Sequence, residues 1–176
     1  ITGSLPFKLK IEKIDRISPF LGDQFVKTIF LASIFAALGV ALIIFLRYRK
    51  IKISLLIMLM VVSEIIMILG LSALMKANLD LAGIAGIIAG IGTGVNDQIV
   101  IVDESRKKQD TIKMRIKNAL FIVFTAYATA VASLFPLFYA GAGLLKGFAI
   151  TSLVGITAGV LITRPAFADM IKSGEE

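Results

Sequence analysis

The sequence predicts an all-α membrane protein, a bundle of five transmembrane helices behind a short N-terminal remnant that reads as a strand. Two observations carry this. Hydrophobic residues make up 57% of the chain and the mean hydropathy is +0.91, which is too apolar for a soluble domain of this length. The apolar residues gather into five stretches, Phe25 to Leu46, Ile53 to Met75, Leu79 to Val102, Ala119 to Ala140 and Leu144 to Phe167. Each is long enough to cross a hydrocarbon core of about 30 Å at about 1.5 Å per residue. The bundle is therefore placed at residues 23–172, after an entry segment at 1–22 and before a tail at 173–176.

At the N-terminus, Phe7-Lys8-Leu9-Lys10-Ile11-Glu12 alternates apolar and charged residues, the period of a half-buried strand. Because the chain opens at Ile1 with neither an initiator Met nor a secretory leader, this strand is expected to end a domain that lies upstream. Ser18-Pro19 and Gly22-Asp23 predict a turn and a capping carboxylate ahead of the first span.

The loops set the orientation. Arg47, Arg49, Lys50 and Lys52 follow the first span, and Arg106, Lys107, Lys108, Lys113, Arg115 and Lys117 follow the third, whereas the alternate loops hold only Lys76 and Lys146. Basic residues are retained on the cytoplasmic side. The protein is thus expected to be multi-pass in the plasma membrane, with Ile1 outside and Glu176 inside. The same blocks account for the net charge of +7, so nucleic acid is not an expected partner and lipid is. With no cysteine and no histidine, the chain lacks thiolate ligands and the commonest general base. No catalytic residues, metal site or cofactor are expected.

Asn96 and Asp97 lie inside the third span, LDLAGIAGIIAGIGTGVNDQIVIV. An ionised carboxylate there costs a few kcal/mol, on the order of 3, unless it has a partner, water or a proton. Gly83, Gly86, Gly90, Gly94 and Asp97 recur at steps of three and four and share one helical face. Such a face lets another helix approach closely. The alternative is a packing seam with an incidental acid. The amide of Asn96 can hydrate Asp97 or bond a neighbouring helix. The fifth span repeats the pattern with Thr151, Gly155, Gly159 and Thr163, and the fourth offers Thr125, Thr129 and Ser133. By helical rise, Thr125, Thr129 and Thr163 come to the level of Asp97. They are candidates for a proton or water chain, or else they bond back to the backbone. Packing of Gly86, Gly90 and Gly94 against Gly155 and Gly159 is expected.

Glu64 lies near the middle of the second span, beyond snorkelling reach of either end. It is expected to be a structural acid that faces the bundle interior or carries a proton, replaceable by Gln. Lys27, Arg47 and Arg164 all sit near the ends of spans as drawn. A counter-charge for an ionised Asp97 is therefore expected from water or another subunit.

Three segments, GSLPFKLKIEKIDRISPFLG, LDLAGIAGIIAGIGTGVNDQIVIVDE and GAGLLKGFAITSLVGITAGVLITRPAF, resemble the SecD family of protein-export subunits in its archaeal style. The resemblance covers nearly the whole chain. It implies the end of a large extracytoplasmic domain followed by the last five of six membrane helices. It also implies a SecF-like subunit, the Sec channel and unfolded preprotein as partners, and the resistance-nodulation-division superfamily, in which proton flow moves extracytoplasmic domains. Where the bacterial SecD motif has its proton-linked Asp this chain has Asn96, and its Asn96-Asp97 pair looks more like the SecF motif. The proton role implied by the resemblance therefore passes to Asp97, and that of Asn96 stays open. Two alternatives remain: half of a proton-driven small-molecule or lipid exporter of the same superfamily, or a passive scaffold for the channel.

Overall fold

The computed structural model describes residues 19–75, 81–108, 110–140 and 144–174. Its elements are α1 (Pro19–Tyr48), α2 (Ile51–Leu74), α3 (Leu81–Ser105), α4 (Ile112–Ala140), α5 (Leu144–Ala158), a π-helical segment (Gly159–Thr163) and α6 (Arg164–Ser173). Among the described residues there is no strand, and the strand expected at residues 7–12 lies outside them. The fold is all-helical, as the composition requires.

Four helical runs, Ile51–Leu74, Leu81–Ser105, Ile112–Tyr139 and Leu145–Ser173, are long and apolar enough to cross a membrane, and α1 adds the shorter apolar stretch Ala37–Tyr48. The protein is a multi-pass membrane protein. Helix α1 starts at Pro19, whose fixed φ and missing N–H suit a first helical position. Gly22 and Asp23, expected as a turn and a cap, consequently lie inside the helix. Between α1 and α2 the chain reverses at Arg49, whose φ of 50° is in the left-handed region that turns use.

Helix α3 is the centre of the bundle and packs most extensively on α5. The reason is the absence of side chains between them. Thr151 and Ser152 of α5 lie so close to α3 that a Cβ on Gly86 would collide with the Thr151 hydroxyl and stand 2.7 Å from the Phe148 carbonyl. The Thr151 hydroxyl donates to the Gly83 carbonyl at 2.8 Å, and that of Ser152 to the Gly86 carbonyl at 3.3 Å. One turn on, a Cβ on Gly90 would reach the Gly155 Cα at 3.9 Å. Below this seam Ile44, Ile57, Val61, Ile101, Val102 and Phe167 close the core. Outward faces are apolar, with Leu55, Leu59 and Ile66 on α2 and Phe121, Phe124 and Phe135 on α4 exposed. Exposed apolar side chains at this density belong in lipid or against another helix.

The last span is not a regular α-helix. Pro165 cannot donate to the carbonyl four residues back, Leu161, and its ring crowds that oxygen. The chain widens there instead, and the Arg164 N–H bonds the Gly159 carbonyl, five residues back. Helix α6 then continues beyond Phe167 to Ser173 because Phe167, Ala168 and Ile171 give it a buried apolar face.

Candidate functional site

Glu64 on α2, Asp97 on α3 and Arg164 at the π-to-α junction meet in the bundle interior. Arg164 Nη1 donates to Glu64 Oε1 at 2.9 Å and Arg164 Nε to Asp97 Oδ2 at 3.1 Å. Glu64 and Arg164 are fully buried and Asp97 is 7% exposed. A counter-charge from water or another subunit, expected when Arg164 was placed at a span end, is thus overturned. The last helix runs six residues past Phe167, so Arg164 lies about 14 Å above Ser173, close to the roughly 12 Å that separates Asp97 from Ser105. Breaks in helical geometry of the π type are frequent at functional sites. Here the break sets the direction of Arg164.

The small residues around the cluster are required by it. A Cβ on Gly94 would stand 2.6 Å from Glu64 Oε2 and 2.8 Å from Arg164 Nη2, and one on Gly159 would fall within the Arg164 guanidinium. Gly94 and Gly159 therefore leave the space the ion cluster occupies, while Gly86 and Gly90 serve the seam with α5. Gly155 faces Ile68 of α2, whose Cδ1 would be 3.0 Å from an added Cβ.

Thr163 joins the cluster, accepting from Arg164 Nη1 at 2.9 Å and donating to the Gly159 carbonyl at 3.0 Å. The other two hydroxyls stand elsewhere. Thr125 and Thr129 are exposed on α4 and donate to their own helix, at Phe121 O and Ala126 O. Helical rise brings them to the level of Asp97, but their face of α4 turns away. Asn96 is exposed, one residue round α3 from the buried Asp97.

Two residues escaped the sequence reading. Arg164 was hidden because the apolar run ends at Phe167; the signal available was its Pro165 neighbour and the Thr151-Gly155-Gly159-Thr163 stripe that leads to it. Gln98 is fully buried, and neither of its amide atoms has a partner among the described residues. Its signal was position, four residues after Gly94 and hence on the same face. Glu64 Oε2 and Arg164 Nη2 are likewise without partners. Buried polar atoms of this kind, grouped beside a glycine, are where internal water binds in proteins.

Chemically, the site holds two carboxylates and one guanidinium in the buried interior of the bundle. With both acids ionised it carries one net negative charge, and with one proton bound it is neutral. Lipid surroundings tolerate the neutral form best. Arg164, paired with both acids, ties α2, α3 and the last span together.

The family described as "Protein export membrane protein SecD/SecF, C-terminal" matches residues 2–166. The chain is 48% identical to the protein-export membrane protein SecD of Methanocaldococcus jannaschii over 172 residues, 97% of this chain and 43% of that protein. It is 43% identical to SecD of Methanothermobacter thermautotrophicus (98% and 45% covered) and 37% identical to SecD of Haloferax volcanii (97% and 34% covered). The chain spans less than half the length of these curated relatives. Matched along nearly all of its length, this chain belongs to the SecD/SecF family of protein-export membrane proteins.

Proposed function

We propose that this chain is the membrane part of a protein-export subunit and that its Glu64–Asp97–Arg164 cluster carries the proton that couples the membrane gradient to export. The observation that supports this most directly is the charge count of the cluster. Two acids share one base at membrane depth, so a proton can arrive or leave without breaking the assembly. Each elementary charge crossing the field gains about 2.3 kcal/mol per 100 mV, enough to shift a two-state packing equilibrium more than tenfold. Because α2, α3 and the last span all hold one member of the cluster, a change in its protonation acts on three helices at once. Those helices would transmit it to an extracytoplasmic domain preceding the first span.

The named relatives are protein-export proteins, which favours preprotein as the cargo and a SecF-like subunit and the Sec channel as partners. Asp97 is assigned the proton-responsive position, with Glu64 as the second acid and not merely a structural one. Asp97→Asn in the full-length protein keeps the shape and leaves Arg164 with one acid and no exchangeable proton. Export into vesicles, measured with and without a proton gradient at matched protein levels, should lose its gradient stimulation in this variant. Full stimulation in Asp97→Asn would remove the proton role from this cluster.

A further inference from the structure

Where the α1–α2 turn, the end of α3 and the end of α6 meet, the bundle has a cleft of about 160 Å³, room for on the order of ten waters. Three exposed cations line it, Lys50, Lys52 and Arg106, over a less exposed apolar base that includes Ile53, Leu56 and Ile171. Among the described residues no aspartate or glutamate lines it. At the end of α3, Asp103 is engaged by Arg47 and Tyr48, and Glu104 by Lys107. Among the described residues Lys50 and Lys52 have no acidic partner, and Arg106 is held over the Tyr48 ring at 4.8 Å. Lys50 is also the N-cap of α2 and makes no side-chain cap, so the positive end of a 24-residue helix opens beside the cleft. Free N–H groups and helix dipole there favour an anion.

We propose that this cleft binds the phosphodiester headgroup of an anionic phospholipid, with an acyl chain running along α2. Charge complementarity selects the headgroup, because three cations and a helix N-terminus face the cleft and no acid among the described residues compensates them. Position selects a lipid over other anions. The cleft lies at the end of the membrane spans, and the exposed Ile51 and Leu55 of α2 continue its apolar base into the region of lipid tails. Basic pockets between transmembrane helices at the membrane surface are a general way of holding anionic headgroups. The site is separate from the buried ion cluster and does not depend on the proton role of that cluster.

The test is lipid binding to the full-length protein in detergent, followed by native mass spectrometry. The probes are phosphatidylglycerol, phosphatidylcholine with the same chains, and glycerol 3-phosphate. Phosphatidylglycerol should be retained in preference to the other two. Each basic residue near a membrane surface contributes roughly fivefold to the binding of anionic lipid, so Lys50→Gln/Lys52→Gln/Arg106→Gln should lose on the order of a hundredfold. Met170→Glu, which puts an acid in the cleft and keeps all three cations, should also lose the preference. Lys113→Gln/Lys117→Gln should keep it. Thermal unfolding of each variant identifies any that has lost its fold, and Lys50→Arg/Lys52→Arg should bind as the parent does. Unchanged binding in both the triple variant and Met170→Glu would overturn the proposal. So would glycerol 3-phosphate binding as tightly as the lipid, or lipid binding seen only after Glu175 and Glu176 are replaced by Gln, which would make the C-terminal acids the occupant.

Discussion

Arg164 neutralises two acids, so its loss is expected to cost more than the loss of either acid. Arg164→Met strands Glu64 and Asp97 together in a buried interior. Breaking a buried ion pair from one side typically costs about 3–5 kcal/mol, whereas replacing all members by neutral groups of similar shape is often nearly neutral. Arg164→Met should therefore unfold markedly earlier than the parent in detergent titrations followed by circular dichroism, and Glu64→Gln/Asp97→Asn/Arg164→Met should recover most of the loss. Equal stability of Arg164→Met and parent would mean that the cluster holds nothing together. Glu64→Gln gives a further discrimination. The sequence alone predicts little effect from it, but because Glu64 contacts Arg164 at 2.9 Å, the charge count predicts loss of gradient stimulation with protein levels maintained. Both acids were legible because a carboxylate in an apolar run stands out against its neighbours. Arg164 was not, since depth depends on where a helix ends, and hydropathy alone ended this one six residues too soon.

At the scale of elements, the spacing of small residues made the α3 face and its contact with α5 readable before any coordinates. A period of three and four places Gly83, Gly86, Gly90 and Gly94 in a line, and the structure puts two kinds of neighbour along it. Gly86 meets α5, whereas Gly94 meets the side chains of Glu64 and Arg164. Spacing cannot distinguish these, because it says which residues share a face and not what fills the space opposite. The distances predict a graded series. Gly90→Ala should be tolerated, with 3.9 Å to its nearest neighbour, and Gly92→Ala should be neutral or slightly stabilising, having nothing within 4 Å. Gly86→Ala and Gly94→Ala should each cost about 1–3 kcal/mol, the usual range for overpacking, and Gly90→Leu should join them. Unfolding titrations of the five variants check the order; equal stability of Gly92→Ala and Gly94→Ala would show that α3 does not sit as described. The π segment was not legible, since the Pro165 signal alone fits a kink as well as a widened turn.

For the molecule as a whole, one end of the bundle gathers most of the basic side chains among the described residues. Arg47, Arg49, Lys50, Lys52, Arg106, Lys107, Lys108, Lys113, Arg115, Lys117 and Lys172 lie there, and some of them tie the end together. Arg47 pairs with Asp103 at 2.6 Å, and the Tyr48 hydroxyl donates to Asp103 at 2.8 Å, fastening α1 to α3. Arg115 donates to the Ser105 carbonyl, fastening α4 to the same place. Moving so many cations across a bilayer is opposed by both their hydration and the membrane potential, so this end is expected to be the cytoplasmic one. A cysteine at Ser4 and another in the basic loop should then react with an impermeant thiol reagent from opposite sides of sealed vesicles. Ser105 is buried with its hydroxyl on the Val102 carbonyl, and a cysteine there would stay silent for reasons unrelated to topology. Lys108 is exposed in the same loop and is the better position. Right-side-out vesicles should label Ser4→Cys and leave Lys108→Cys untouched until they are opened. Labelling of both from one side would put an even number of crossings between residues 4 and 108, contradicting the three spans that α1, α2 and α3 are taken to make.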